Sequence, residues 1–316
     1  MAQIGSDISI ARELLKGGDL VAIPTETVYG LAANAFDAKA IAKIFTTKER
    51  PSFDPLIVHT DSLEQIADFV EEIPNQALRL AKEFWPGPLT LLLRKKSNIP
   101  DLVTSGLDTV AVRIPRHPLT KILLETLDFP LAAPSANPFG YISPTTAQHV
   151  EDQLGDKIEY ILDGGACTVG VESTIIGFDN ETPVVYRLGG MSIEEIEKVV
   201  GRTRLMPHSS SNPATPGMLK SHYAPQKQLI LGDIPSLLEK YSGEELAVLA
   251  FQKTYGDLEH YHHLSEKGNL NEAAQNLFGK LRTLDNLPVD KIIAELVPDK
   301  GLGKAINDRL KRAAAR

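Results

Sequence analysis

The chain holds a single cysteine, Cys167, among 316 residues. No internal disulfide can form, and the cytoplasm is the expected compartment. Long apolar runs are missing as well. The longest, Leu246 to Phe251, is far shorter than the roughly 20 residues that a membrane-spanning helix needs. No membrane partner is expected, and MAQIGSDISIAREL lacks the basic start and apolar stretch of a secretory leader. A basic excess is absent: 33 Lys and Arg stand against 41 Asp and Glu, a net charge of −8. Proteins that grip nucleic acid by its phosphates normally carry a basic footprint, so stable electrostatic RNA binding is disfavoured. Neither G-x-x-x-x-G-K-[ST] nor G-x-G-x-x-G occurs, so any nucleotide must be held by scattered groups. No Ser-His-Asp or Cys-His signature is present, and with no histidine near it Cys167 reads as a small packed side chain. His260, His262 and His263 lack a carboxylate or cysteine at metal-ligand spacing. They read as solvated loop histidines, and no dedicated metal site is expected.

What is present indicates two globular domains. The length suggests about two, and 42% hydrophobic residues exclude disorder. RTRLMPHSSSNPATPGMLKSHYAPQ, with four prolines and a serine run, reads as a linker. The chain therefore divides into residues 1–201, a linker or lid at 202–228 and a C-terminal domain at 229–316. Before the linker, helical periods such as Ala38 to Phe45 interleave with strand-like runs such as Leu56 to His59, Thr109 to Ile114 and Ser173 to Phe178. The fold class is α/β with a large, twisted, mixed sheet. After the linker, strands at Leu229 to Leu231, Leu246 to Phe251 and Lys291 to Leu296 alternate with helices, which suggests a small parallel, Rossmann-like sheet.

Three segments could carry chemistry. PTETVYGLAANAF, Pro24 to Phe36, brings Thr25, Thr27, Tyr29 and Gly30 to a strand end, a usual ligand position. Its plain structural reading is a strand-to-helix loop with Glu26 near a helix start. In FTTKERPSFDPLIVH, Lys48 and Arg50 precede Pro51 and are expected on an exposed loop edge, where both can reach one anion. The alternative is that they only complement a helix dipole. His59 ends a strand-like run and is by default a packed histidine. In APSANPFGYISPTTAQHV, Ser135, Asn137, Ser143 and Thr145 follow a short strand and precede a helix whose N-terminus would favour an anion, with Ser143 or Thr145 as its cap.

Taken together, PTETVYGL, the K-x-R-P with PLIVH behind it, SANPFGYISPTTAQHV and the later VESTII resemble the threonylcarbamoyl-AMP synthase family, of the YrdC-like fold. The motifs run in order between Gly17 and Val200. PGMLKSHYAP, Pro216 to Pro225, makes the chain similar to the longer two-domain form. The resemblance implies a concave, positively charged cavity and one reaction: L-threonine, bicarbonate and ATP give L-threonylcarbamoyl-adenylate and pyrophosphate, towards N6-threonylcarbamoyladenosine in tRNA. It implies that Lys48, Arg50, Ser135 and Asn137 bind the ATP phosphates, joined by Asp54, Thr109, Ser143 and Arg187, with Tyr223 closing over the product. Thr27, His59, Arg113 and Ser173 would contact threonine, with Ala133 lining the pocket.

Asp54 stands where the family motif has Asn, and a carboxylate there repels phosphate unless Arg50 or a metal ion compensates. Leu219 and Ser221 replace more aromatic or basic residues. Such chemistry needs no enzyme nucleophile, only positioning and charge, with Mg²⁺ held chiefly by phosphate oxygens and water. The expected partners are the three substrates and a downstream threonylcarbamoyl transferase machinery, with tRNA met only indirectly. Two other classes stay open: an RNA-binding module on the same cationic face, and an inactive regulator. The acidic total stands against the first, and the intact K-x-R and S-x-N pairs against the second.

Overall fold

Asp7 caps the first helix, Ile8–Lys16, by accepting from the Ser9 amide, and Gly18, at φ +77°, turns the chain after it. The helix Ala38–Lys48 is built the same way, with Asp37 as its cap. These elements belong to a computed structural model that describes residues 1–179, 182–206, 215, 222–256 and 258–315.

Eleven strands form the first sheet: β1 (Gln3–Gly5), β2 (Val21–Ile23), β3 (Gly30–Asn34), β4 (Ile57–His59), β5 (Leu89–Arg94), β6 (Thr109–Arg113), β7 (Leu131–Ala132), β8 (Tyr160–Leu162), β9 (Thr174–Asp179), β10 (Thr182–Arg187) and β11 (Arg204–Leu205). Their order is β1-β8-β2-β3-β7-β4-β6-β5-β9-β10-β11, and parallel pairs such as β4 with β6 mix with antiparallel ones such as β5 with β6. The second sheet, β12 (Gln228–Leu231), β13 (Leu246–Ala250), β14 (Tyr261–His263) and β15 (Lys291–Ala294), has the order β12-β15-β13-β14 and is parallel throughout. Both sheets carry helices, so the chain is α/β in two parts.

The period of two along each strand creates the site. Val58, Val110, Val112, Ile176 and Val185 face the main core, while Ile57, Ala111 and Ile175 meet on the opposite face. His59 and Arg113 share that second face, and the β4–β6 register places them side by side. One face of the strands is thus spent on packing and the other on chemistry.

The second part is docked on the first through apolar surface. Val28, Ile142 and Val171 join the core built by Leu277, Phe278, Leu281 and Leu310 of the C-terminal helices. At Gly170, φ +79°, the two parts approach closely, since a Cβ there would lie 2.4 Å from the Gln275 Cα. A side chain at 170 would force the parts apart.

Several expectations are corrected. Pro24 to Phe36 is not a strand-to-helix loop, because β3 folds back antiparallel on β2 and Glu26 is buried in the turn. The helix after the S-x-N segment, Ala147–Leu154, is capped by Thr146, which accepts from the His149 amide. Ser143 and Thr145 have other partners. His262 and His263 are not loop histidines: β14 pairs with β13 and leaves them half-buried. The first sheet runs past residue 201, as β11 pairs Arg204 and Leu205 with Val184 and Val185. Most of the linker, including Pro213, Pro216, Gly217, Leu219 and Ser221, lies outside the described residues. No helix among the described residues is long and apolar enough to cross a membrane.

Candidate active site

The β2–β3 turn organises one wall. Thr25 Oγ1 accepts from the amides of Thr27 and Val28 and donates to the Val28 carbonyl, a closed set of bonds that fixes a short buried turn. The turn presents Thr27 Oγ1 to Arg113, whose Nη1 donates to it at 2.8 Å. Arg113 also donates from Nε to the Gly87 carbonyl at 3.1 Å and pairs through Nη2 with Glu26 Oε1 at 2.8 Å. Glu26 Oε2 in turn accepts from the Arg116 amide. Such a guanidinium is held rigidly, at the place where a carboxylate could meet it.

His59 stands beside it, and burial first, then Arg113, pushes its pKa down to about 3. The ring is neutral near neutral pH, and among the described residues its Nδ1 has no hydrogen-bond partner. Burial likewise lowers His222 to about 3, and burial with Arg282 lowers His149 to about 4. Unfolded, each histidine would take up a proton near pH 6.5. This contribution to stability is whole above pH 6.5 and shrinks as the pH falls towards 4, by up to about 1.4 kcal/mol per pH unit for each ring. The melting temperature is therefore expected to drop on going from about pH 7.5 to 5. His149→Gln, outside the cavity, should flatten that drop, and an unchanged slope in this variant would contradict the assignment.

The K-x-R pair departs from its expected placement. Lys48 is the last residue of its helix and 1% exposed. Its ammonium reaches across to the carbonyls of Ser135 and Asn137. It knits the S-x-N loop to the helix end, and burial together with Arg50 lowers its pKa. Arg50 is also buried, but it does line the cavity. Its Nε donates to the Asp54 carbonyl at 3.0 Å, and its Nη2 lies 2.9 Å from the Asp54 carboxylate. Asp54 is thus compensated by Arg50, one of the two ways its unusual charge could be accommodated. Neither basic residue sits on an exposed loop edge, because the interior supplies both with oxygen partners.

The opposite wall comes from the VEST segment and the end of β10. Arg187 donates from Nε to the Ser173 carbonyl at 2.9 Å and from Nη2 to Ser173 Oγ at 3.0 Å, and Ser173 Oγ lies 2.7 Å from Thr90 Oγ1. Glu172 accepts from Ser143 Oγ at 2.6 Å and from Arg309 Nε at 2.9 Å. Burial alone would raise its pKa, but Arg309 and Arg187 outweigh that and hold it below the ordinary carboxylate value. His222 and Tyr223 close this side, with ring centroids 4.2 Å apart, and Tyr223 stacks on Phe278 of the C-terminal part at 5.5 Å.

These walls enclose an empty volume of about 560 Å³ counted out to the open mouth. The cavity gathers Thr25, Thr27, Gly30, Arg50, His59, Arg113, Ala133, Ser135, Ser173, Arg187 and Tyr223 from the expected residues. Lys48, Asp54, Asn137 and Ser143 stand behind the lining, tied to the loops that form it. Thr109 lies at the other end of β6 from Arg113, paired with Arg94, and is not among the lining residues. Sequence reasoning missed His222, Glu172, Val28, Ile57 and Pro134 as lining. Glu172 and His222 lie inside the VESTII and PGMLKSHYAP motifs, which were the available signal.

With Arg50, Arg113 and Arg187 lining it beside Glu172, and with Asp54 and Glu26 paired behind the first two, the cavity presents guanidinium donors that suit a polyanion and a carboxylate. Among the described residues no three His, Cys, Asp or Glu side chains gather to hold a metal. Buried Cys167 has its thiol pushed up to about 12 by burial and Glu26, as befits a packed side chain.

The family model covering Sua5, YciO and YrdC, described as "Telomere recombination", matches residues 13–189, and that of the threonylcarbamoyl-AMP synthase C-terminal domain matches 191–315. The chain is 44% identical to a threonylcarbamoyl-AMP synthase of Pyrococcus abyssi over 97% of its own length and 94% of the relative's. It is 41% identical to that of Bacillus subtilis, over 97% and 92%. A crystal structure of P. abyssi Sua5 complexed with L-threonine superposes with a TM-score of 0.92 at 44% identity, covering 97% of this chain and 94% of that one. The chain belongs to the Sua5, YciO and YrdC family, in the form that carries the threonylcarbamoyl-AMP synthase C-terminal domain.

Proposed function

We propose that the chain is a threonylcarbamoyl-AMP synthase, a nucleotidyltransferase that converts L-threonine, bicarbonate and ATP into L-threonylcarbamoyl-adenylate and pyrophosphate. The observation that carries this reading is the cavity, where three guanidiniums and a wall of small hydroxyls meet in a chain similar throughout to such synthases. Arg113, held by Thr27, Gly87 and Glu26, takes the threonine carboxylate. Neutral His59, with Ser173 and Ala133, surrounds the rest of the amino acid. The threonine nitrogen attacks the bicarbonate carbon as an unprotonated amine, water leaves, and a carbamate forms. A carbamate oxygen then attacks the α-phosphorus in line, and the bond to pyrophosphate breaks. Arg50 and Arg187 offset the phosphate charge, and Lys48 and Asn137 shape the loop that bears Ser135. Tyr223 and His222 help to keep water from the carbamate.

Mg²⁺ would arrive with ATP. Glu26, Asp54 and Glu172 are each paired with an arginine, at 2.8, 2.9 and 2.9 Å, so phosphate oxygens and water would hold the ion. The labile adenylate then passes to a transferase that modifies tRNA, in the cytoplasm that the single cysteine suggests. Val28, Ile57 and Ala133 give the pocket apolar surface for the threonine methyl. Threonine should be preferred over serine by about 10- to 200-fold in kcat/KM, the worth of one methyl in an apolar pocket. Chromatographic measurement of both adenylates formed in competition checks this. Equal yields would remove the assignment of these residues to threonine.

A further inference from the structure

We propose that Arg309, on the helix Gly303–Ala313 of the C-terminal domain, is a positioning residue for the synthase reaction, fixing Glu172 and Tyr223 on the cavity wall from behind. The inference rests on the synthase reading above. Arg309 is fully buried and is not part of the cavity lining. Every donor face of its guanidinium is engaged: Nε meets Glu172 at 2.9 Å, Nη1 meets Asp308 at 2.6 Å, and Nη2 donates to the Leu188 carbonyl at 2.8 Å. Its plane also covers the Tyr223 ring, 4.9 Å from the centroid. Glu172 and Tyr223 both line the cavity, and Leu188 directly follows Arg187, which lines it too. One side chain from the second domain thus holds both chain segments that form this wall.

The charge balance shows why this matters. Glu172 is a carboxylate facing a cavity that is to receive a triphosphate. Left unpaired it would repel that ligand, and like charges brought together across a contact weaken binding severely. Arg309 offsets it from the rear, while Ser143 takes the other carboxylate oxygen at 2.6 Å and keeps it from swinging forward. A second arginine of the same domain secures Ser143 itself. Arg282 donates to the Ser143 carbonyl at 3.4 Å and to the Ile142 carbonyl, and lies over the Tyr141 ring at 5.1 Å. The C-terminal domain therefore acts on the reaction through these contacts, and its role is built into the wall of the site.

The test uses the full chain. Calorimetric binding of a non-hydrolysable ATP analogue and the KM values for ATP and threonine are measured for wild type, Arg309→Met, Arg309→Lys and the double variant Glu172→Gln, Arg309→Met. Circular dichroism serves as the fold control. Arg309→Met should weaken nucleotide binding by about tenfold or more, by exposing the ligand to an unpaired carboxylate. The KM for threonine should move far less than that for ATP. Arg309→Lys, which keeps the charge and loses the fork, should fall between, and the double variant should recover most of the nucleotide affinity because the repelling charge is gone. If Arg309→Met does not fold, the lysine and double variants decide by the same readings. Folded variants with wild-type nucleotide affinity, or threonine and ATP affected equally, would overturn the proposal. Loss of the synthase reading would appear separately, as wild type that binds nucleotide without threonine-dependent turnover.

Discussion

Arg113→Met is expected to reduce threonine-dependent pyrophosphate release by about 10²- to 10³-fold, the usual cost of deleting one partner of a buried, hydrogen-bonded charge pair. Arg113 has no substitute. Its three protein contacts hold it at 4% side-chain exposure, and neither Arg50 nor Arg187 shares the register that places it beside His59. Removing it also leaves Glu26 buried without its cation, so some loss of stability is expected alongside. Arg113→Lys separates the two effects. A lysine keeps charge next to Glu26 but cannot match a carboxylate with a planar fork. This variant should melt near wild type and still need a much higher threonine concentration. If it binds threonine normally, the carboxylate does not lie on Arg113.

The second large effect concerns Arg50. Because it is paired with buried Asp54 at 2.9 Å, Arg50→Ala should lose both activity and stability. Breaking a buried pair from one side costs about 3 to 5 kcal/mol, since the remaining buried charge loses its close guanidinium. Adding Asp54→Asn should restore much of the stability. It should not restore turnover, which is expected to stay about 10²-fold or more below wild type because a preorganised charge at the transferring phosphoryl group is still missing. Thermal melts and pyrophosphate release on the single and double variants check this together. Recovery of turnover in the double variant would show that Arg50 serves only to neutralise Asp54.

Local pattern made much of the fold legible. The apolar runs that became β4, β6, β9 and β13 combine β-branched residues with bounded length, so their strands could be read directly. β3 could not. Its sequence GLAAN has no β-branched residue, and it becomes a strand only because β2 and β7 pair with it on either side. At the site, motif residues named eleven of the lining positions, but not the direction in which others point. Lys48 meets the carbonyls of Ser135 and Asn137, 87 and 89 residues away, and Glu172 meets Arg309 at a separation of 137. No window of local periodicity contains such partners. The burial of the K-x-R pair and the reach of the C-terminal domain into the site wall are tertiary facts. The first follows from loop oxygens of the same part, those of Ser135, Asn137 and Asp54, and the second from docking an apolar face that includes Val28, Ile142 and Val171.

The central claim, a cavity that joins threonine, bicarbonate and ATP without an enzyme nucleophile, is tested most directly by pyrophosphate release from ATP by the full chain. The assay is run with each of threonine and bicarbonate present or withheld. Release is expected only when all three substrates are supplied together. Release from ATP alone, or undiminished release without threonine or without bicarbonate, would contradict the account.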